Sequence, residues 1–305
     1  MTRRTLLIVG GLATIYLVWG STYLGIALAI ETMPPLTMAA ARFVLAGAIL
    51  YLLAGGARLR PSRSDWTFAL VTGGLLLAVG NGGVSWAQQT VASGIAALVI
   101  ATIPLWIALL DRLLFGARLS PLTLAGIAVG FAGVAILLDP RGAVDATGGA
   151  VLLVAAAGWS LGTLLTRGRA LGLPPLAAAG MQMLCGGTIL LLAAAVGGEF
   201  GAVRLSEVSA TSVAALAYLV LFGSLLAFSA YVWLVRNASV SLVSTYAYVN
   251  PVVAVLLGSA FLGEEVTART LVAGGIVVAA VALIVSARAP APLRRPARLA
   301  PVRGR

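Results

Sequence analysis

The residues of this sequence that could do chemistry are polar side chains set inside long apolar segments. Arg42 is the only charged residue well inside such a segment. A buried guanidinium can bind a carboxylate through two parallel hydrogen bonds, or it can bond helix-end carbonyls in a purely structural role. Asn81, beside Gly80 and Gly82, offers a donor and an acceptor where a second backbone can come close. Both residues are candidates for a cavity wall, with an interhelical hydrogen bond as the alternative for Asn81.

Tryptophans lie deep in three apolar segments, at Trp19, Trp106 and Trp159. Such positions suggest a cavity lined by flat amphipathic surface, which suits apolar or aromatic solutes and, through the ring faces, cations. Phenol groups that could join this surface are those of Tyr23, Tyr231 and Tyr246. Ordinary core packing is the alternative for each of these aromatic residues.

Two further groups lie near breaks or ends of the apolar segments. Trp86 and Gln88 are close to the end of the third segment, where they could form part of a gate, although interfacial polarity explains them equally well. Pro104 and Pro251 occupy matching places in the fourth and ninth segments, and a proline removes a backbone donor and kinks its helix. Asn250 could bond the carbonyl that Pro251 leaves free, or it could bind a solute.

The chain lacks the side chains of common catalytic and metal sites. It has no histidine, and its 20 basic residues are all arginine. No aspartate or glutamate lies deep in an apolar segment, and the single cysteine, Cys185, cannot form an intrachain disulfide. We therefore expect no catalytic residue, no metal, no cofactor and no proton exchange on a buried carboxylate.

The elements that must position these residues are membrane-spanning helices. Hydrophobic residues make up 61% of the chain and charged residues 10%, against roughly 25% charged in soluble domains. Helices satisfy their own backbone hydrogen bonds in lipid. We predict an all-α polytopic membrane protein whose ten spans lie at 5–28, 36–54, 66–88, 92–115, 121–138, 148–167, 175–197, 210–234, 240–262 and 268–287.

The arginines divide unequally between the two ends of these spans. The end that carries both termini holds most of them, whereas the other end holds Arg141, Arg204 and Arg269 and most of the acidic residues. The positive-inside rule then places both termini in the cytoplasm of a multi-pass protein. Because topology explains the net charge of +11, we expect no nucleic-acid partner.

The two halves of the chain resemble each other. Trp19 and Pro34-Pro35-Leu36 recur with the same spacing as Trp159 and Pro174-Pro175-Leu176. Five spans in each copy would make the copies enter the membrane from opposite sides, which is the inverted repeat common in transporters. The predicted domains are a first repeat at 5–138, a second at 148–287 and a disordered basic tail at 288–305.

The motifs Trp19-Gly20-Ser21-Thr22-Tyr23 and Tyr246-Ala247-Tyr248-Val249-Asn250-Pro251 resemble the EamA-domain proteins of the drug/metabolite transporter superfamily, most closely YedA-type inner-membrane exporters. The resemblance covers about residues 5–287 and implies ten helices, two EamA units and export of amino acids, metabolites or drugs. The sequence departs from the family pattern at Ala117, where a glutamate usually follows the glycine. The second copy keeps this glutamate as Glu264, for which we expect a structural role.

These observations predict a transporter of the cell inner membrane that exports amino acids or drug-like and aromatic solutes by alternating access around a central cavity. Spans 1, 3, 4, 6, 8 and 9 carry the kinks, the deep aromatic residues and polar residues, and they are expected to form its walls. The expected partners are a small-molecule substrate and the lipid bilayer, and the sequence leaves a monomer and a homo-oligomer both open. A non-transporting assembly partner or sensor and, more remotely, a membrane enzyme are the alternatives.

Overall fold

The computed structural model describes residues 2–138, 144–167, 173–202 and 204–287. Within these ranges the chain is helical, with short connections and no β-strand. The all-α prediction is therefore confirmed. The predicted tail at 288–305 lies outside the described residues.

Nine helical segments of this part of the chain are long and apolar enough to cross a membrane, and a further apolar helix has 17 residues. In chain order these nine segments and the shorter helix, together called the ten long helices, are α1 (Arg3–Ile30), α2 (Pro35–Leu53), α3 (Arg63–Ala87), α4 (Ser93–Phe115), α5 (Pro121–Leu138), α6 (Ala146–Arg167), α7 (Pro175–Val196), α8 (Ala210–Asn237), α9 (Tyr246–Leu262) and α10 (Ala268–Ala287). The shorter helix is α9. Single helical turns in the connections lie at Gly56–Leu59, Glu199–Ala202, Leu205–Glu207 and Val240–Val243.

The helix ends follow from local sequence. Pro35 and Pro175 each begin a helix, where the missing N–H of proline costs nothing. Gly116 ends α4 with φ 70° and Gly263 ends α9 with φ 66°, a left-handed conformation that glycine adopts without strain. Matching caps therefore stand at matching positions of the two halves.

Four of the predicted spans contain irregular turns. α3 and α8 contain π-helical stretches at Gly74–Gly82 and Leu219–Leu226. α4 is interrupted at Ala101–Thr102, and the predicted ninth span at 240–262 is not one continuous helix, because α9 begins only at Tyr246. Such irregular turns are tolerated in a membrane only where protein or a cavity surrounds them.

A threonine stands at each of the two helix breaks. The hydroxyl of Thr102 donates to the carbonyl of Val99 at 2.6 Å, and the hydroxyl of Thr245 donates to the carbonyl of Leu242 at 2.6 Å. These local bonds compete with the regular helical pattern. They give a physical reason for the break that the prediction of a continuous ninth span missed.

α2 and α7 pack closely against each other at a crossing built from small residues. Gly47 and Gly180 face each other so closely that an added Cβ on Gly47 would lie 2.7 Å from the backbone nitrogen of Leu184. Small residues at such crossings let two backbones meet and maximise dispersion contact. This crossing fixes the position of Arg42, which lies on α2 a little more than one turn before Gly47.

A central cavity as the candidate binding site

A cavity of about 200 Å³ lies between the two halves of the chain and is partly open to the outside of the molecule. Eight of the ten long helices contribute to its wall, and α5 and α10 do not. The predicted walls were α1, α3, α4, α6, α8 and α9; the structure adds α2 and α7. This volume is at the small end for a site that binds an organic molecule.

Seven of the residues singled out from the sequence line this cavity. They are Trp19, Tyr23, Arg42, Asn81, Trp159, Tyr246 and Asn250. They come from five helices that are far apart in the chain, so the fold brings together residues that the sequence identified separately.

Arg42 is 5% exposed and reaches the cavity from α2. Its Nε donates to the hydroxyl of Ser224 on α8 at 3.0 Å. Its guanidinium carbon lies 4.8 Å from the centroid of the Phe43 ring, so the ring adds a cation–π contact. Among the described residues, neither terminal nitrogen has a hydrogen-bond partner.

A cluster of aromatic rings around Trp19 also borders the cavity. The ring of Trp19 lies 5.3 Å from that of Tyr231 and 5.2 Å from that of Tyr246, measured between centroids. The indole nitrogen of Trp19 donates to the carbonyl of Gly223 at 3.1 Å, inside the π-helical stretch of α8. Tyr231 supports the cluster from behind and is not part of the cavity lining.

The two candidate asparagines differ in what their amides bond. With its nitrogen turned to the carbonyls, Asn250 donates to the backbone oxygens of Tyr16 at 3.2 Å and Tyr246 at 3.3 Å, so it ties α9 to α1. Asn81 has no side-chain hydrogen bond to any described residue. Its amide is therefore available to a molecule in the cavity.

The other candidates lie outside the lining. Trp106 packs edge-to-face on Phe131 of α5, with ring centroids 5.1 Å apart. Gln88 is the first residue past the end of α3, and Trp86 lies in the last turn of that helix. The remaining two are prolines: Pro104 is the second residue of the helix that resumes after the α4 break, and Pro251 is the sixth residue of α9.

Several lining residues were not named from the sequence, among them Ser224 and Phe228. Gln182 also lines the cavity, at the place in α7 that corresponds to Arg42 in α2, and its Nε2 donates to the hydroxyl of Thr72 at 2.9 Å. The spacing that relates Trp19 to Trp159 also relates Arg42 to Gln182. Ser224, next to a glycine in an apolar run, carries no comparable signal in the sequence.

Acidic residues tie helices together at one end of the bundle, away from the cavity. Glu199 accepts hydrogen bonds from the backbone nitrogens of Leu36 at 3.2 Å and Thr37 at 2.8 Å, at the start of α2. Glu264 accepts from those of Ser93 at 2.6 Å and Gly94 at 3.0 Å, at the start of α4. A carboxylate at a helix N-terminus satisfies free N–H groups and the helix dipole.

We predict that Glu264→Ala lowers the free energy of unfolding by about 1–3 kcal/mol, because two backbone donors of α4 lose a charged acceptor. Thermal unfolding in detergent, followed by tryptophan fluorescence, measures the change. Glu265→Ala is the matched control, since the neighbouring side chain is exposed. Equal unfolding temperatures for the two variants would show that the Glu264 contacts do not stabilise the fold.

Comparisons with known proteins agree with this architecture. A model of the EamA-like transporter family matches residues 6–139 and 146–286. Over 289 residues the chain is 42% identical to the uncharacterized inner membrane transporter YedA of Escherichia coli strain K12, covering 92% of each protein. Over 279 residues it is 30% identical to the protein PecM of Dickeya dadantii strain 3937, covering 88% of each.

The fold also matches a solved structure. A chain from a crystal structure superposes with a TM-score of 0.62 at 23% identity, over 92% of this chain and 95% of that chain. At this identity the match concerns the fold alone. The family match and the 42% identical relative show that the chain belongs to the EamA-like transporter family and is a membrane transporter.

Proposed function

We propose that this protein exports small metabolites, either amino acids or aromatic and drug-like solutes, across the cell inner membrane by alternating access of the central cavity. The observation that carries the proposal is the cavity itself, which both halves of the chain line. The terminal nitrogens of Arg42 and the amide of Asn81 face it without a hydrogen-bond partner among the described residues. A packed structural bundle would have no reason to keep such groups away from bonding partners.

The proposed architecture is ten spans in two inverted repeats, at 5–138 and 148–287. Matching features support it: prolines at the start of α2 and α7, π-helical stretches in α3 and α8, and left-handed glycines at the ends of α4 and α9. In this proposal the seventeen residues of α9 and the preceding turn Val240–Val243 together form the ninth span, which brings the number of spans to ten. Two halves of this kind can exchange conformations around a shared site.

The proposed orientation has both termini in the cytoplasm. The arginine distribution supports it through the positive-inside rule. Outward transport is inferred from the resemblance to inner-membrane exporters, and no buried carboxylate lines the cavity to couple it to protons. Facilitated movement down a gradient is therefore the proposed mode.

The test is efflux from proteoliposomes loaded with a mixture of amino acids and small aromatic solutes, with and without a pH gradient. We expect selective efflux by the wild type, and efflux near the protein-free rate for Asn81→Trp, whose indole would occupy the cavity. Val71→Trp is the matched control, since Val71 lies on the same helix with an exposed side chain.

Three results would contradict the proposal. Full activity of Asn81→Trp would place the transport path elsewhere. An absence of efflux for every solute, from folded and inserted protein, would favour an assembly partner or sensor, and product formation in detergent without a sealed compartment would favour an enzyme.

A further inference from the structure

The described residues that line the cavity carry positive charge and no negative charge. Arg42 is the single charged residue among the 23 that line the cavity. The acidic residues of the described chain lie elsewhere, and Glu199 and Glu264 are engaged at helix N-termini. A cation in this cavity would meet an uncompensated guanidinium in a medium of low dielectric constant, where like charges repel strongly.

The terminal nitrogens of the Arg42 guanidinium determine which chemical group of a ligand it can bind. Nε donates to Ser224, and the guanidinium carbon lies over the Phe43 ring. The two terminal nitrogens remain, and together they form the fork that binds two oxygens of one anion. Gly223 leaves space beside this fork, because an added Cβ there would lie 3.2 Å from a terminal nitrogen of Arg42.

The remainder of the lining is suited to the body of the same molecule. Rings of Trp19, Tyr23, Trp159, Phe228 and Tyr246 face the cavity. They offer apolar faces to a ring-sized solute, and Asn81 adds one neutral polar group. A zwitterion would have to place its ammonium group here without a carboxylate partner.

Resting on the proposed function, we infer that the substrates are organic anions: molecules with one carboxylate or sulfonate group on an apolar, ring-sized body and no positive charge. This choice also supplies a driving force. A membrane potential that is negative inside favours the outward movement of a monovalent anion by on the order of 50-fold per 100 mV. Export would then need no coupling ion.

The test compares four probes of one shape: 3-phenylpropane-1-sulfonate, its neutral sulfonamide, the matching trimethylammonium compound, and phenylalanine. The sulfonate is a strong acid, so it does not leak through lipid as a neutral species. Binding is measured as thermal stabilisation of the detergent-solubilised protein, and efflux from proteoliposomes is measured at set potassium–valinomycin potentials.

We expect the sulfonate to bind at least tenfold more tightly than the other three, and its efflux to be faster when the vesicle interior is negative. Arg42→Gln should lose this binding by on the order of 100-fold, and Arg42→Lys should retain part of it as a point charge without the fork. Unfolding temperatures of both variants establish that they are folded.

The outcomes separate this inference from the proposed function. The anion inference would be overturned if the cationic or neutral probe left the vesicles as fast as the sulfonate, or if Arg42→Gln bound the sulfonate as tightly as the wild type. Neither result would contradict the proposed transport function. Arg42-dependent binding of the sulfonate without any efflux would support the anion site and contradict transport.

Discussion

Arg42→Met is expected to abolish anion transport and at the same time to raise the stability of the ligand-free protein. The transport loss should be on the order of 100-fold, because the substrate anion would be buried without a partner. The stability gain should be about 1–3 kcal/mol, because an apolar side chain of similar length replaces a buried charge that has one hydrogen bond and no carboxylate partner among the described residues.

The opposite signs of these two effects distinguish a binding residue from a structural one. If Arg42 serves mainly to hold α2 to α8 through Ser224, its removal should lower the unfolding temperature. A helical serine can turn its hydroxyl to a carbonyl one turn earlier, so Ser224 need not remain unpaired in the variant. Thermal unfolding without ligand and efflux of the aromatic sulfonate give the two readouts.

Gln182→Met is the matched control for this prediction. Gln182 lines the same cavity from α7 at the corresponding place, but its amide donates to Thr72. Its loss should therefore lower stability by about 1 kcal/mol, the usual net value of one neutral hydrogen bond. A fall in stability of equal size for both variants would assign Arg42 to the scaffold.

The sequence was most informative about composition and helix length. The apolar segments were long enough to predict nearly every helix, because a membrane-spanning helix must satisfy its own backbone groups over a fixed thickness. The break before Tyr246 was not predictable in this way. It depends on a threonine hydroxyl that bonds a backbone carbonyl, and threonines of the same type stand elsewhere in regular helix, as at Thr163.

The candidate site was only partly visible from the sequence. Arg42 and Asn81 could be named because polar groups inside apolar segments are rare and costly. Trp106 could not be separated from Trp19 and Trp159 by depth alone, and only the packing of its ring on Phe131 shows that it faces away from the cavity. Ser224 depends on which face of α8 meets α2, which is a property of tertiary packing.

The second large effect concerns the crossing of α2 and α7, where a substitution should prevent correct packing. In Gly47→Val, the added Cβ would lie 2.7 Å from the backbone nitrogen of Leu184 and 2.9 Å from the carbonyl oxygen of Gly180. Backbone atoms cannot move aside as the end of a flexible side chain can, so the helices must separate. We expect a loss of about 3 kcal/mol or more in unfolding free energy.

The separation should also reach the cavity, because Arg42 lies on the same helix little more than one turn away and bonds across to α8. Gly275→Val is the matched control: Gly275 lies in the middle of α10, and an added Cβ there meets nothing within 4 Å. Unfolding temperature and the yield of monodisperse protein measure the effect. If Gly47→Val unfolds at the same temperature as Gly275→Val, the close approach of α2 and α7 does not exist in the folded protein. The position assigned to Arg42 would then also be wrong.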